Sequence, residues 1–125
     1  MEEIRFTKEH EWVLIREDLA IIGITDFAQK QLGDIVSVEL PNVGDKFKQM
    51  QAMAIVDSIK ASSDIYCPLD GEIVKINEDL LEHPELINQS PYESGWVVMI
   101  KPLDMTQFDD LMTKEQYDKL VGENL

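Results

Sequence analysis

Up to about residue 101, apolar and polar positions alternate and β-branched residues are frequent, the period of half-buried strands. Residues 12–16 and 19–24 predict two strands of a hairpin that turns at Glu17-Asp18. Residues 35–40 predict a third strand with Val36, Val38 and Leu40 on one face, stopped by the turn residues Pro41-Asn42-Val43-Gly44-Asp45. Residues 53–56 form another strand, and Ile65-Tyr66 starts the next, ahead of a turn at Pro68-Leu69-Asp70-Gly71. Residues 73–76 and 96–100 complete the set. Pro102 then ends the sheet region, because proline cannot donate to a ladder.

The alternation breaks in three places. Between Thr25 and Gly33 the pattern is helical, with Thr25 as N-cap, Asp26 in the first turn and Gly33 as the stop. Beyond residue 103 two further helices are expected. Asp104 with Gln107, and Thr113 with Gln116, have capping-box spacing. Phe108, Leu111 and Met112 make one apolar stripe, and Tyr117, Leu120 and Val121 make another, ended by Gly122. Helices this short do not persist alone, so the stripes predict docking onto the sheet core. Residues 78–94 have weak periodicity, and His83-Pro84 and Ser90-Pro91 mark them as an irregular connection. One echo runs through the chain: Gly33-Asp34-Ile35-Val36-Ser37-Val38 matches Gly71-Glu72-Ile73-Val74-Lys75-Ile76. It suggests two related halves of one β structure; the plainer alternative is that Gly-acid-Ile-Val is simply a good strand start.

Composition narrows the class. A chain of 125 residues suits a single domain, and 44% apolar content argues against intrinsic disorder. One Cys rules out a disulfide scaffold. Eleven Lys and Arg against 25 Asp and Glu give a net charge of −14, which argues against nucleic acid and anionic membrane and favours partners with basic docking surfaces. Apolar runs such as residues 19–24 fall far short of the ~20 residues that cross a bilayer. Met1-Glu2-Glu3-Ile4-Arg5 lacks the apolar core of a signal peptide and the Arg-rich character of a transit peptide, so a cytoplasmic protein, or a mature form without its presequence, is expected.

Candidate chemistry centres on Lys60, in the small and polar stretch Asp57-Ser58-Ile59-Lys60-Ala61-Ser62-Ser63-Asp64. Lying between two strands, it belongs at or near an exposed hairpin tip, where a merely solvated lysine is the ordinary alternative. A nucleophilic lysine needs desolvation or a neighbouring cation. Here Asp57 and Asp64 stand on either side and favour the ammonium form, so Lys60 suits a handle that another enzyme acylates better than it suits a catalyst. Other chemistry is poorly supported. His10-Glu11-Trp12-Val13-Leu14 lacks the second His of a zinc-protease motif, and one Cys with two His cannot close a structural zinc site of the usual kind. Cys67, before Pro68 at a strand end, reads as a small packed residue, and no glycine-rich phosphate loop or Gly-x-Ser-x-Gly elbow is present.

From about Phe6 to Val121 the chain resembles the H-protein family of the glycine cleavage system, the lipoyl carriers. Lys8-Glu9-His10-Glu11-Trp12-Val13 is similar to the family's opening strand. Gly23-Ile24-Thr25-Asp26-Phe27-Ala28-Gln29, Leu32-Gly33-Asp34-Ile35-Val36 and Val38-Glu39-Leu40-Pro41 are similar to its helix and following strand. The Asp57–Asp64 stretch resembles the lipoylation segment, with Lys60 on the modified lysine, and Pro91-Tyr92-Glu93-Ser94-Gly95-Trp96 resembles a late motif. The resemblance implies a mainly β barrel-sandwich hybrid with a short internal helix and C-terminal helices. It would be a single lipoyl-carrier domain over 1–125, with a β core at about 6–101 and a helical segment at about 104–122.

The same resemblance implies a non-enzymatic, monomeric carrier with lipoate in amide linkage to Lys60. It would take an aminomethyl group from the decarboxylating P protein to the T protein, and its dithiol to the flavin-dependent L protein. Asp57 and Gly71 are the implied determinants for lipoylating enzymes, and Glu11 and Asp64 the implied contacts of the loaded arm. The chain departs from the family pattern at several positions. Asp57 stands where Glu is usual, Met50 and Ala54 where Gly is common, and Glu9 where a small polar residue is common. Any backbone conformation needing positive φ is therefore expected to differ at residues 50 and 54. An H-like carrier serving lipoate relay or another redox system, and an unmodified acidic β interaction module, remain alternatives.

Overall fold

The computed structural model describes residues 3–123, apart from the side chain of Glu123. Among the described residues nine strands and five helices follow in order: β1 (Glu3–Phe6), β2 (Glu11–Arg16), β3 (Leu19–Ile24), α1 (Asp26–Leu32), β4 (Ile35–Glu39), β5 (Lys46–Phe47), β6 (Ala52–Ser58), β7 (Ser62–Tyr66), β8 (Gly71–Ile76), α2 (Asp79–Glu82), α3 (Leu86–Gln89), β9 (Val98–Pro102), α4 (Thr106–Asp109) and α5 (Lys114–Glu123). Six strands form one sheet in the order β1-β2-β3-β9-β8-β5, and three form a second in the order β4-β6-β7. The pairings are antiparallel throughout.

The two sheets share one apolar core. Val13, Ile22, Ile73 and Ile100 from the large sheet pack in the same cluster as Ile35, Val38, Val56 and Ile65 from the small one. Full burial of such a side chain contributes about 1.5–3 kcal/mol. The large sheet has a second apolar face, where Phe6, Trp12, Ile21 and Tyr117 cluster under α5. Strands β2 and β3 are thus covered on both sides, which explains their nearly continuous apolar sequence.

The hairpin at Glu17-Asp18 forms, with Arg16 opposite Leu19 and Glu17 at φ 58°. The α1 caps also form: Thr25 Oγ1 accepts from the Ala28 amide at 3.2 Å, and Gly33 ends the helix at φ 80°. Several expectations need correction. Val36 is 53% exposed rather than in line with Val38, because a β-bulge separates Ile35 from Ser37 and turns Val36 outward. Ile65-Tyr66 ends a strand that begins at Ser62, since Ser62, Ser63 and Asp64 pair with β6 despite their polarity. The connection at 78–94 contains α2 and α3, each one turn long and anchored by the fully buried Leu80 and Ile87. The Thr113/Gln116 capping box is reciprocal, but Asp104 caps Thr106 while Gln107 accepts from the Asp70 amide instead. Gly122 lies within α5 rather than after it. Met50 does adopt positive φ, at 65°, although it is not glycine; its amide donates to the Cys67 carbonyl, which pins the turn.

Candidate functional site

Strands β6 and β7 pair from Ala52–Tyr66 to Asp57–Ser62, leaving Ile59, Lys60 and Ala61 as the outermost turn. The turn is built by Ser58. Its amide donates to the Ala61 carbonyl at 2.8 Å, and its hydroxyl accepts from the Ala61 and Lys60 amides at 3.1 and 3.3 Å. A second support comes from outside the hairpin: the Ile59 amide donates to the Asp34 carbonyl at 3.0 Å. Lys60 is exposed, and its stem lies against Gly33, where an added Cβ would stand 3.7 Å from Lys60 Cε. The expected tip position of Lys60 is therefore observed.

Asp57, at the end of β6, accepts from the hydroxyls of Ser62 and, at 2.9 Å, Ser37. These two bonds hold its carboxyl below the usual aspartate range, Ser62 contributing more. Asp64 is exposed on β7, four residues or roughly 13 Å of extended chain beyond Lys60. Glu11 is 1% exposed. Its carboxyl accepts from the Thr7 hydroxyl at 2.5 Å and from the Tyr66 amide at 3.3 Å, so it abuts β7 two residues beyond Asp64. Burial pushes the Glu11 carboxyl up to about 7, against the opposing effect of those hydrogen bonds. Glu9 lies in the adjoining turn, its amide donating to Thr7 Oγ1 at 3.2 Å.

Gly71 is not brought to the tip. It opens β8, after the turn that leaves the far end of β7. A Cβ there would meet the Lys101 carbonyl at 2.8 Å, so glycine is required for β8 to approach β9. Cys67 is fully buried, and burial raises its thiol to about 11, in keeping with a packed residue. Sequence reasoning missed Asn88, whose side chain bonds Ile35, Gly33 and Gln29, and the buried turn at Thr7. The only local signal for Asn88 was its place just before Ser90-Pro91, in a segment without periodicity.

Two facing antiparallel sheets, the smaller with Lys60 at an exposed hairpin turn, define a domain of the barrel-sandwich, lipoyl-type fold. A crystal structure of a glycine cleavage system H protein from Mycobacterium marinum matches with a TM-score of 0.84 and 30% identity, covering 98% of this chain and 96% of that one. A family model described as glycine cleavage H-protein matches residues 4–124. Glycine cleavage system H proteins from Halothermothrix orenii and a Geobacillus species are 51% and 47% identical, covering 98% and 97% of this chain and 95% of each relative. The chain belongs to the glycine cleavage H-protein family. Members of this family are lipoyl carriers rather than enzymes.

Proposed function

We propose that Lys60 carries lipoate in amide linkage and that the chain is the lipoyl carrier of glycine cleavage, presenting that arm in turn to the P, T and L proteins. The observation that carries the assignment is the place of Lys60 at the outermost turn of a fixed hairpin, among the small residues Ser58, Ala61 and Ser62. These neighbours leave the amine open to a lipoylating enzyme. Lipoate supplies a cyclic disulfide that accepts a one-carbon fragment and two electrons. The protein itself breaks no bonds. It tethers the group, which raises the local concentration of cofactor at each partner site.

The other site residues have distinct parts in this reading. Asp57, oriented by Ser37 and Ser62, offers lipoylating enzymes a fixed negative charge three residues before the acceptor. Gly71 acts through packing, by letting β8 close on β9. Glu11 and Asp64 receive the cationic end of the loaded arm along β7, Glu11 from within the fold and Asp64 from its surface. The chain works as a single domain over 1–125, as a monomer and in the bacterial cytoplasm. The bacterial relatives support that location.

Peptide mapping from a lipoate-replete host tests the site: the Lys60 peptide gains the lipoyl group in the wild type, and Lys60→Arg protein gains none. Exchange of the glycine carboxyl carbon with bicarbonate, catalysed by P protein, tests the pathway. A bare Lys60 overturns the reading; a lipoylated carrier that supports no exchange overturns the glycine-cleavage assignment alone.

A further inference from the structure

The turn between α1 and β4 is held by one side chain from the connection between β8 and β9. Asn88 Oδ1 accepts from the Ile35 amide at 2.9 Å, and Asn88 Nδ2 donates to the Gly33 carbonyl and to Gln29 Oε1, both at 2.9 Å. The orientation of the Asn88 amide is dictated by its partners. The Ile35 N–H can only donate and the Gly33 carbonyl can only accept. Between these two braced residues lies Asp34, whose carbonyl accepts the amide of Ile59, the residue before Lys60. Gly33 itself underlies the Lys60 stem. With φ 80° and ψ −156°, Gly33 occupies a region that only glycine enters readily, so intrinsic preference alone does not hold this turn in shape.

We propose that Asn88 is a positioning residue for the acceptor lysine: by clamping Gly33 and Ile35 it fixes the floor under the Lys60 turn, and with it the surface that an acyl-transfer enzyme must engage. The inference rests on Lys60 being the lipoylated residue. Acylation joins Lys60 Nζ to the carbonyl carbon of an activated acyl donor, an acyl phosphate-type anhydride or a thioester. The ammonium gives up two protons to bases, one before attack and one after, and the phosphate or thiolate leaves with the bonding pair. An enzyme enclosing that amine also covers Ile59, 69% exposed beside it on the turn, and meets Val36, which the bulge turns outward just beyond Ile35. Val36 follows the segment that Asn88 braces, and Ile59 is tied to that segment through the Asp34 carbonyl.

Amide hydrogen exchange and lipoyl transfer to the unlipoylated full-length chain test this in wild type, Asn88→Ala and Asn88→Asp. In Asn88→Ala the Ile59 amide should exchange at least about tenfold faster. The Val97 amide, bonded to the Ile22 carbonyl at 2.8 Å, should keep its wild-type rate. The kcat/KM for the acceptor chain should fall about ten- to a hundredfold. Asn88→Asp keeps the acceptor for Ile35 and should lie between; if Asn88→Ala does not fold, this variant carries the comparison. Acceleration of Ile59 and Val97 together, with transfer falling only as the folded fraction falls, overturns the proposal. So does unchanged transfer to a folded variant. Wild-type protein that stays bare at Lys60 instead overturns the carrier reading, and the exchange rates still decide the brace.

Discussion

Glu11 is a carboxyl buried at the edge of β7, at about 7 in the fold against an ordinary 4.5. Between those values the folded state binds the proton more tightly than the unfolded chain. The stability this gives is therefore full below pH 4.5 and is lost as pH rises to 7. The pH-linked difference is of order 3 kcal/mol. Glu11→Gln, neutral at every pH, should resist urea better than the wild type at pH 8 and about equally at pH 5; coincident curves at pH 8 would mean the carboxyl is well solvated. Met50 tests a second local feature, its φ of 65°. Met50→Val should lower stability by about 1–2 kcal/mol in denaturant titration, because a β-branched residue resists that region, whereas Met50→Gly should stay within about 1 kcal/mol. Lys60 could be placed from the sequence because polar, small residues interrupt two apolar stretches. The burial of Glu11 could not, since a glutamate in an alternating pattern looks like any outward polar position until Thr7 folds over it.

Among the elements, α5 is tied to the sheet by more than its apolar stripe. Tyr117 stacks on Phe6 with centroids 4.6 Å apart, and its hydroxyl lies 2.8 Å from His10 Nδ1 and 2.7 Å from Thr25 Oγ1. Tyr117→Phe keeps the stack but takes the hydroxyl from His10 Nδ1 and from Thr25 Oγ1, which keeps only the Ala28 amide, and should cost about 1–3 kcal/mol in thermal or urea unfolding. An unchanged midpoint would show that water replaces the hydroxyl freely. Elements with a strong period and clear caps, such as β3 and α1, were readable along the chain. Those made by tertiary contact were not: β5 is two residues long, β7 begins with three polar residues, and α2 and α3 are single turns held by one buried side chain each. The echo between residues 33–38 and 71–76 falls on β4 of the small sheet and β8 of the large one. Both bury the isoleucine, Ile35 or Ile73, and bulge directly after it, but of the two glycines only Gly33 takes positive φ.

For the molecule as a whole, charge governs encounters. A carrier of net charge −14 that visits several partners should meet basic docking faces faster at low ionic strength. Raising salt from about 20 to about 200 mM, which shortens the Debye length from roughly 20 Å to roughly 7 Å, should therefore slow P-protein-dependent glycine exchange at subsaturating carrier, with kcat unchanged. A salt-independent kcat/KM would assign docking to apolar contact instead. Architecture also bears on how the molecule behaves in company. The small sheet stops at β7, and that rim is five residues long and starts Ser62-Ser63-Asp64. Brief, polar, charged rims discourage one copy from zipping onto the next. Crowding many copies together is accordingly tolerated at this margin, where a longer, oilier one would seed fibres.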